Sequence, residues 1–203
     1  HIECFDNSNL QGSNAVAACV VFKNARPSKS DYRHFNINSV TGPNDYASME
    51  EVVYRRYRRL KIDKQDLPDL IIIDGGIGQL NSAIKSLEKL KLQNKIDVIS
   101  IAKRLELIYS QKESGPLFLD KRSQSLKLIQ RLRNEAHRFS LKHHRNKRSK
   151  RALENSLEKI NGIGKKSVQL LLSHFGSTER VMAAKKTEII KLVGKSKADK
   201  ILK

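Results

Sequence analysis

The sequence predicts a mixed α/β sheet flanked by helices, followed by a small all-α domain. Two patterns indicate this fold class. In the first half of the chain, β-like runs come first and then alternate with segments of helical period, and the later runs are apolar without interruption, as in strands covered on both faces. Beyond residue 156, short apolar segments of helical period are separated by glycine-containing turns.

Three β-like runs open the chain, HIECFD, AVAACVVF and YRHFNIN, at residues 1–6, 15–22 and 32–38. Turn-forming Gly, Ser, Asn and Pro residues separate them. This spacing is typical of an antiparallel meander. The first run begins at His1 rather than at a methionine, which indicates a fragment excised from a longer protein.

A helix rich in arginine follows the meander. Apolar residues recur at helical spacing from Met49, and the rest of the helix surface carries Arg55, Arg56, Arg58 and Arg59. Next come a buried strand, DLIIID, a helix whose apolar face includes Leu80, and a second buried strand, DVISIA. A strand, a helix and a strand in this order favour parallel pairing through a right-handed crossover.

A hairpin at residues 105–120 and a long helix from about residue 123 to 144 complete this domain. We therefore predict an α/β domain at residues 1–148, a basic, solvated linker at 149–156 and a small helical domain at 157–203. The linker has no hydrophobic period, and its charge is also suited to following a phosphate backbone.

The charge of the chain predicts a polyanionic partner. Lys and Arg number 40 against 21 acidic residues, which gives a formal net charge of +19. Nucleic acid is the first candidate, because neutralising its phosphates releases condensed counterions. An anionic membrane surface is the rival, but no apolar run approaches the roughly 20 residues of a membrane helix. We therefore expect a soluble cytoplasmic protein, with Cys4 and Cys19 as buried thiols rather than zinc ligands.

Two aspartates stand where buried strands end. Asp74 closes LIIID and precedes Gly75 and Gly76, and Asp6 closes IECFD. If these strands are neighbours, the two carboxylates converge at the edge of the sheet where α/β proteins bind ligands. Like charges brought together require a cation, and oxygen ligands favour Mg²⁺ or Mn²⁺. Taken singly, a strand-end aspartate is more commonly the cap of a helix or turn, so Asp74 alone is weak evidence for a metal.

The order of the elements favours the metal site over the caps. A three-stranded meander, a helix and a parallel strand is the arrangement of the RNase H-like nuclease fold, which carries acids on its first and fourth strands. A third ligand is expected from the long helix, where RNEAHRF supplies Glu135 and His137 beside the packing face. On chemistry alone, either residue could be the ligand.

Five ordered motifs, ECFDNSNLQG, GPNDYASMEEVVYRRYRR, DLIIIDGGIGQL, RNEAHRFSLKHHRNKR and INGIGKK, resemble the C-terminal half of the UvrC family of bacterial nucleotide excision repair. The resemblance implies an RNase H-like endonuclease domain that makes the 5′ incision beside a lesion in duplex DNA, followed by a tandem helix-hairpin-helix domain. It also implies a partnership with the excision nuclease protein UvrB, through an N-terminal half that this sequence lacks.

The resemblance assigns an Asp-Asp-His catalytic and metal-binding triad to Asp6, Asp74 and His137, and so selects His137 over Glu135. It matches a further important acidic position to Asp45, for which an N-cap of the arginine-rich helix is the alternative. The chain departs from the family pattern at Asn9, in place of a histidine, and at Ile77, in place of a lysine.

The hairpin motif predicts a phosphate site. In NGIGKK, Gly162 and Gly164 allow backbone conformations closed to other residues and expose N–H groups at the start of a helix, beside Lys165 and Lys166. A second hairpin, LVGKSKA, has only Gly194 of the expected pair, followed by Lys195. The arginines at 55, 56, 58 and 59 either contact phosphates or form a solvated face.

Two other functions fit the same sequence. The departures at Asn9 and Ile77 favour a DNA-binding scaffold of the same fold that is catalytically weak or inactive. An RNA-processing nuclease on the same fold is the second alternative, although tandem hairpins favour duplex DNA.

Overall fold

The computed structural model describes residues 1–8, 16–37, 40, 44–102 and 106–202, except for the side chains of 143–156 and 158. The chain divides into two compact units, His1–Lys142 and His143–Lys203. No helix in these described ranges is both long and apolar enough to cross a membrane.

The first unit is built on one seven-stranded sheet. Its strands are β1 (Ile2–Ser8), β2 (Val16–Lys23), β3 (Arg26–Pro27), β4 (Arg33–Asn36), β5 (Leu70–Asp74), β6 (Asp97–Ala102) and β7 (Leu107–Ser110). The order across the sheet is β3-β2-β1-β5-β6-β7, and β4 also pairs with β2. Strand β2 pairs antiparallel with β1 and β4, whereas β5 pairs parallel with β1 and β6. The predicted meander, the parallel crossover and the mixed sheet are therefore confirmed.

Three helices pack on this sheet: α1 (Asp45–Ile62), α2 (Ile77–Lys89) and α3 (Gln124–Glu158). Alternate residues of a strand point to opposite faces, so β1 meets different helices on its two sides. Phe5 contacts the ring of Tyr57 on α1, with centroids 6.1 Å apart, whereas Asp6 contacts His137 on α3. Helix α2 packs beside α1, so helices cover both faces of the central strands.

Two predicted elements of the first unit differ from the structure. Beyond β7, the predicted hairpin contributes a single bridge, between Ile108 and Leu117. Helix α3 continues to Glu158 instead of ending near residue 144, so the segment 149–156 that we interpreted as a solvated linker lies within a helix. Lys, Arg, Ala, Leu and Glu are good helix formers and dominate this segment, which explains a helix without a hydrophobic period.

The second unit contains four short helices after α3: α4 (Lys165–Phe175), α5 (Thr178–Ala183), α6 (Lys186–Val193) and α7 (Lys195–Ile201). Its core consists of Leu157, Ile163, Val168, Leu171, Val181, Ile189, Ala198 and Ile201. Two helix pairs meet at glycine turns, one before α4 and one between α6 and α7. The small all-α unit that the sequence predicts is confirmed.

Candidate metal centre

The pairing of β1 with β5 sets the positions of Asp6 and Asp74. The prediction that β1 ends at Asp6 is wrong, because Asn7 and Ser8 still pair with β2, but Asp6 is the last residue that pairs with β5. In the parallel register, Asp6 lies directly opposite Asp74. Paired residues on neighbouring strands project to the same face, so the two carboxylates share one side of the sheet. Both are nearly inaccessible, with 2% of Asp6 and 7% of Asp74 exposed. The chain turns away at once after Asp74, and α2 begins at Ile77.

Helix α3 brings His137 to the same place. Its Nδ1 lies 3.3 Å from Oδ2 of Asp6, and 49% of its side chain is exposed. One potential ligand atom from each of Asp6, Asp74 and His137 lies within 4.8 Å of the other two, and no further group of this kind occurs in the described part of the chain. Two carboxylate oxygens and an imidazole nitrogen are a suitable donor set for Mg²⁺ or Mn²⁺. The residues present therefore fit a divalent cation.

Glu135, the other candidate from α3, lies outside this cluster. Its Oε1 accepts a hydrogen bond of 3.2 Å from the hydroxyl of Tyr32, and both of its carboxylate oxygens accept bonds of 2.7 Å from Arg138. The hydrogen bonds from Arg138 also hold the pKa of Glu135 below its usual range. The structure thus places His137, which the family resemblance selected, beside Asp6 and Asp74, and it places Glu135 elsewhere.

A buried thiol lies beneath the carboxylates. Cys4 precedes Asp6 by two residues and is fully buried on the same face of β1. Burial raises the pKa of Cys4 well above its usual value, the charges of Asp74 and Asp6 raise it further, and Arg133 acts in the opposite direction. These surroundings favour the protonated thiol.

Sequence analysis missed Arg133, which lies one helical turn before His137. Its guanidinium is mostly buried, with Nη1 3.4 Å from Oε1 of Glu106. Gln130 donates to the other oxygen of Glu106 at 2.6 Å. The spacing of four residues between Arg133 and His137 places both on one side of α3, and it is the sequence signal that could have identified Arg133.

Asp45 is the first residue of α1 rather than its N-cap. The N-cap is Asn44, whose side chain accepts a hydrogen bond of 3.0 Å from the N–H of Ala47, so the capping alternative for Asp45 is wrong. The backbone carbonyl of Asp45 accepts a hydrogen bond of 3.0 Å from the side-chain amide of Asn7, the residue after Asp6. Asp45 itself is exposed and is not one of the three clustered ligands.

The two departures from the family pattern have different outcomes. Ile77 is the first residue of α2, and its side chain is exposed. It replaces none of the clustered residues. Asn9 lies outside the described residues.

The arginines of α1 do not form one uniform surface. Arg56 is only 12% exposed and binds the buried carboxylate of Glu3, through Nη2 at 2.6 Å and Nε at 3.2 Å. The prediction that Arg56 contacts phosphate is therefore wrong, because its guanidinium is directed into the core of the unit. Arg55 bonds to Glu51 and to the carbonyl of Asn36, whereas the exposed Arg58 and Arg59 lie on the solvent side of the helix.

The two glycines of NGIGKK have different conformations. Gly162 has a φ of +92°, which disfavours any other residue, but Gly164 has a φ of −88° and is the N-cap of α4. The prediction that both glycines need conformations closed to other residues is wrong for Gly164. Lys165 and Lys166 are the first two residues of α4 and are exposed.

The second hairpin resembles the first in backbone conformation more than its sequence indicates. Gly194 has a φ of +85° and immediately precedes α7, which begins at Lys195. The side chain of Lys200 on α7 reaches the first hairpin, where a Cβ added at Gly162 would lie 2.7 Å from its Nζ. Each hairpin therefore combines a glycine of positive φ with lysines at the start of the following helix.

Comparisons with known proteins cover both units. The model of the family described as "UvrC RNAse H endonuclease domain" matches residues 1–141, and one described as "SAM-like Helix-hairpin-helix tandem" matches residues 154–203. The "UvrABC system protein C" of Flavobacterium psychrophilum is 62% identical over 201 residues, covering 99% of this chain and 34% of the relative. The protein of the same name from Porphyromonas gingivalis strain W83 is 53% identical over 198 residues, covering 98% and 33%.

The chain thus spans about a third of the length of the curated relatives that it matches. A solved structure of Ciona intestinalis endonuclease V with inosine-containing DNA aligns with 66% of this chain and 55% of that chain, at 19% identity and a TM-score of 0.38. That likeness is too low to bear on fold or function.

Proposed function

Because the chain belongs to the UvrC family, we propose that it is the C-terminal half of a UvrC excision nuclease protein and a metal-dependent DNA endonuclease in nucleotide excision repair. In this proposal it makes the 5′ incision beside a lesion in duplex DNA, in the cytoplasm, and works with UvrB through the rest of the full-length protein. The observation that carries the proposal is the convergence of Asp6, Asp74 and His137 within 4.8 Å.

In the proposed site, Asp6 and Asp74 would hold Mg²⁺ or Mn²⁺ and His137 would complete the ligand set. Such an ion lowers the pKa of bound water and stabilises negative charge on the leaving oxygen. Asp6 orients the imidazole through its contact with Nδ1, at 3.3 Å. The Cys4 side of the site is closed by the protein core, while the exposed part of His137 is open to substrate. Asp45 has a supporting role at the rim.

The proposed DNA contacts are independent of sequence and depend on phosphate charge. In the second unit, Gly162 and Gly194 shape two hairpin turns, and helices begin directly after them. In the first unit, α1 presents exposed arginines. The residues proposed to contact phosphates are Gly162, Lys165, Lys166, Gly194, Lys195, Arg55, Arg58 and Arg59, and Gly164 is the N-cap of α4 between them.

Asp74→Asn tests the metal site, because it keeps the size of the side chain and removes its charge. We expect incision of a pre-nicked, lesion-containing duplex, with Mg²⁺ or Mn²⁺ added, to fall by about 10⁴-fold, since the ion supplies both nucleophile and charge stabilisation. His137→Ala should give a similar loss. Glu135→Ala is the matched control from the same helix and should keep incision within a few fold.

Calorimetric titration with Mn²⁺ provides a readout that does not depend on cutting. Wild-type protein and Glu135→Ala should bind the ion, and Asp74→Asn should bind it at least 10-fold more weakly. Circular dichroism checks that each variant is folded. Incision at the normal rate by folded Asp74→Asn would reject the proposed site, and no incision by the wild-type protein would favour an inactive scaffold.

Gly162→Ala and Gly164→Ala form a second matched pair, for the hairpin. Alanine at 162 is strained at a φ of +92° and displaces Lys200, whereas alanine at 164 meets no atom within 4 Å. We expect Gly162→Ala to weaken duplex binding about 10-fold in fluorescence anisotropy, and Gly164→Ala to leave it within about 2-fold, which equal 1.4 and 0.4 kcal/mol respectively at about 25 °C. Wild-type affinity in folded Gly162→Ala would make the turn a packing element only.

A further inference from the structure

Tyr46 is an exposed aromatic residue with a fixed position. It is the second residue of α1, and 56% of it is exposed. Its ring passes over Gly78 in the first turn of α2, where an added Cβ would lie 2.4 Å from Cε1, 2.8 Å from Cζ and 3.0 Å from Oη. No side chain fits between them unless the ring moves. The glycine at 78 therefore allows the ring to rest directly on the backbone of α2.

Two connections place this ring beside the strands that carry the aspartates. Gly78 follows Asp74 by four residues, so their Cα atoms are at most about 14 Å apart even in a fully extended chain. On the other side, Asn7 follows Asp6 and donates a hydrogen bond of 3.0 Å to the carbonyl of Asp45, the residue before Tyr46. Tyr46 is thus connected, through Asp45 and Gly78, to the residues that follow Asp6 and Asp74.

The exposure of Tyr46 contrasts with the other tyrosines of the first unit. Tyr57 and Tyr32 belong to the buried core, and Tyr54 and Tyr109 pack against it. Tyr46 packs on a neighbouring backbone but keeps more than half of its surface in solvent, and Ile77 beside it in α2 is also exposed. If the neighbouring site cuts DNA, the ligand that best fits an exposed aromatic and apolar surface beside it is the face of a nucleobase.

We propose that Tyr46, supported by Gly78, is a stacking platform for an unstacked nucleobase of the DNA strand that is cut. This inference rests on the proposed nuclease function and adds a base-binding position to it. The Cα atoms of Asp74 and Gly78 are at most about 14 Å apart, which is the length of about four stacked nucleotides at 3.4 Å each, so we place the bound base within a few nucleotides of the incision. A distorted or frayed strand supplies such a base at lower cost than an intact duplex does.

A fluorescent base placed in the cut strand tests this proposal. Nicked, lesion-containing duplexes would carry 2-aminopurine at each position within four nucleotides of the incision, bound to the non-cutting Asp74→Asn protein. Binding should change the fluorescence at one of these positions, because stacking on a ring quenches the free base. Tyr46→Ala should remove that change, and Tyr46→Phe should keep it. Ile62→Ala, at the exposed far end of α1 about 24 Å away, should also keep it.

Gly78→Ala tests the support of the ring without altering the ring itself. Alanine is a better helix former than glycine, so α2 should remain folded while the ring is displaced. With Asp74 intact, Tyr46→Ala and Gly78→Ala should each lower incision about 5- to 150-fold, which corresponds to the range of about 1–3 kcal/mol for one stacked base. The double variant should be no slower than Tyr46→Ala alone.

The outcomes separate this proposal from the nuclease proposal. If Asp74→Asn abolishes incision while Tyr46→Ala cuts normally and keeps the position-specific fluorescence change, the platform is rejected and the nuclease stands. If Tyr46→Phe loses as much as Tyr46→Ala, the hydroxyl acts instead of the ring, and stacking is rejected. A uniform fluorescence change at all positions rejects it as well. A position-specific change that depends on Tyr46, in a wild-type protein that does not cut, supports the platform and rejects the nuclease.

Discussion

Strand β1 carries two buried acidic residues, Glu3 and Asp6, in different surroundings. They are three residues apart and so project to opposite faces of the sheet. Glu3 is fully buried against α1, where Arg56 binds both of its oxygens and the hydroxyl of Tyr57 donates to Oε2 at 2.8 Å. Asp6 lies opposite a second carboxylate, Asp74, and contacts an imidazole on α3.

If Asp6 binds a metal as we propose, the comparison distinguishes a structural acid from a functional one. The charge of Glu3 is balanced by a guanidinium that belongs to the same chain and never loses its proton. At Asp6 the residue directly across the strands has the same charge, and balancing such a pair calls for a cation that the protein can take from solution. Burial alone does not mark a metal ligand. The charge of the facing residue is the more informative feature.

The largest expected effect concerns the pair of aspartates. Asp6→Asn should lower incision by about 10⁴-fold, or about 5 kcal/mol in the barrier, because it removes a ligand of the same ion. The double variant Asp6→Asn/Asp74→Asn should be only slightly slower than either single variant, because residues that act as one unit are not additive. Single-turnover incision rates of the three variants test this. Additive losses would mean that the two carboxylates act separately.

The next effect concerns Glu3 and should appear in stability instead of activity. Glu3→Gln leaves the buried charge of Arg56 without its counterion, and we expect the free energy of unfolding to fall by about 3–5 kcal/mol. Glu3→Leu/Arg56→Met removes both charges and should recover most of that loss. Urea unfolding followed by circular dichroism measures both variants, and each should cut DNA normally while folded. A large loss of incision in the folded double variant would contradict the comparison.

The smallest effect is a loss of stability at high pH. Burial and then the charge of Glu3 raise the pKa of Tyr57 and of Cys19 well above their usual values. In the unfolded chain these groups release protons near pH 10 and 8.5, so above those values the unfolded state binds fewer protons than the folded one. The free energy of unfolding should then fall by up to about 1.4 kcal/mol per pH unit for each group, and stay level below about pH 8.

Urea unfolding between pH 7.5 and 10.5, in a reducing buffer, measures this decrease. Tyr57→Phe and Cys19→Ala each remove one of the two titrating groups and should make the free energy of unfolding fall less steeply with pH. If both variants kept the full slope, the acid cluster at Glu3 would not be its source.

The sequence predicts the end of β5 well because a local pattern determines it. The apolar run before Asp74 and the glycines after it indicate where β5 stops, whereas β1 continues past Asp6 to Ser8 because Asn7 and Ser8 still pair with β2. The right-handed crossover then favours the parallel pairing that the structure confirms between β5 and β6. The choice between Glu135 and His137 is harder, because they lie about 200° apart around α3 and flank its packing face on either side.

The features that the sequence could not predict depend on distant residues. Four neighbouring arginines of α1 look alike in the sequence, and only the position of Glu3 in β1 draws Arg56 inward. The motif Gly-x-Gly does not reveal which glycine has the positive φ. Likewise, the contact of Tyr46 with Gly78 joins the first turns of two helices separated by the whole of β5.

The distribution of the three clustered residues along the chain has a consequence for biosynthesis. Asp6 and Asp74 come from paired strands, but His137 is on the last helix of the first unit. About 60 residues separate Asp74 from His137, and at 5–20 residues per second a ribosome needs about 3–12 s to add them. During that interval a nascent chain has both carboxylates and no imidazole. The proposed site therefore stays incomplete on the ribosome until α3 is made and the sheet can be covered on both faces.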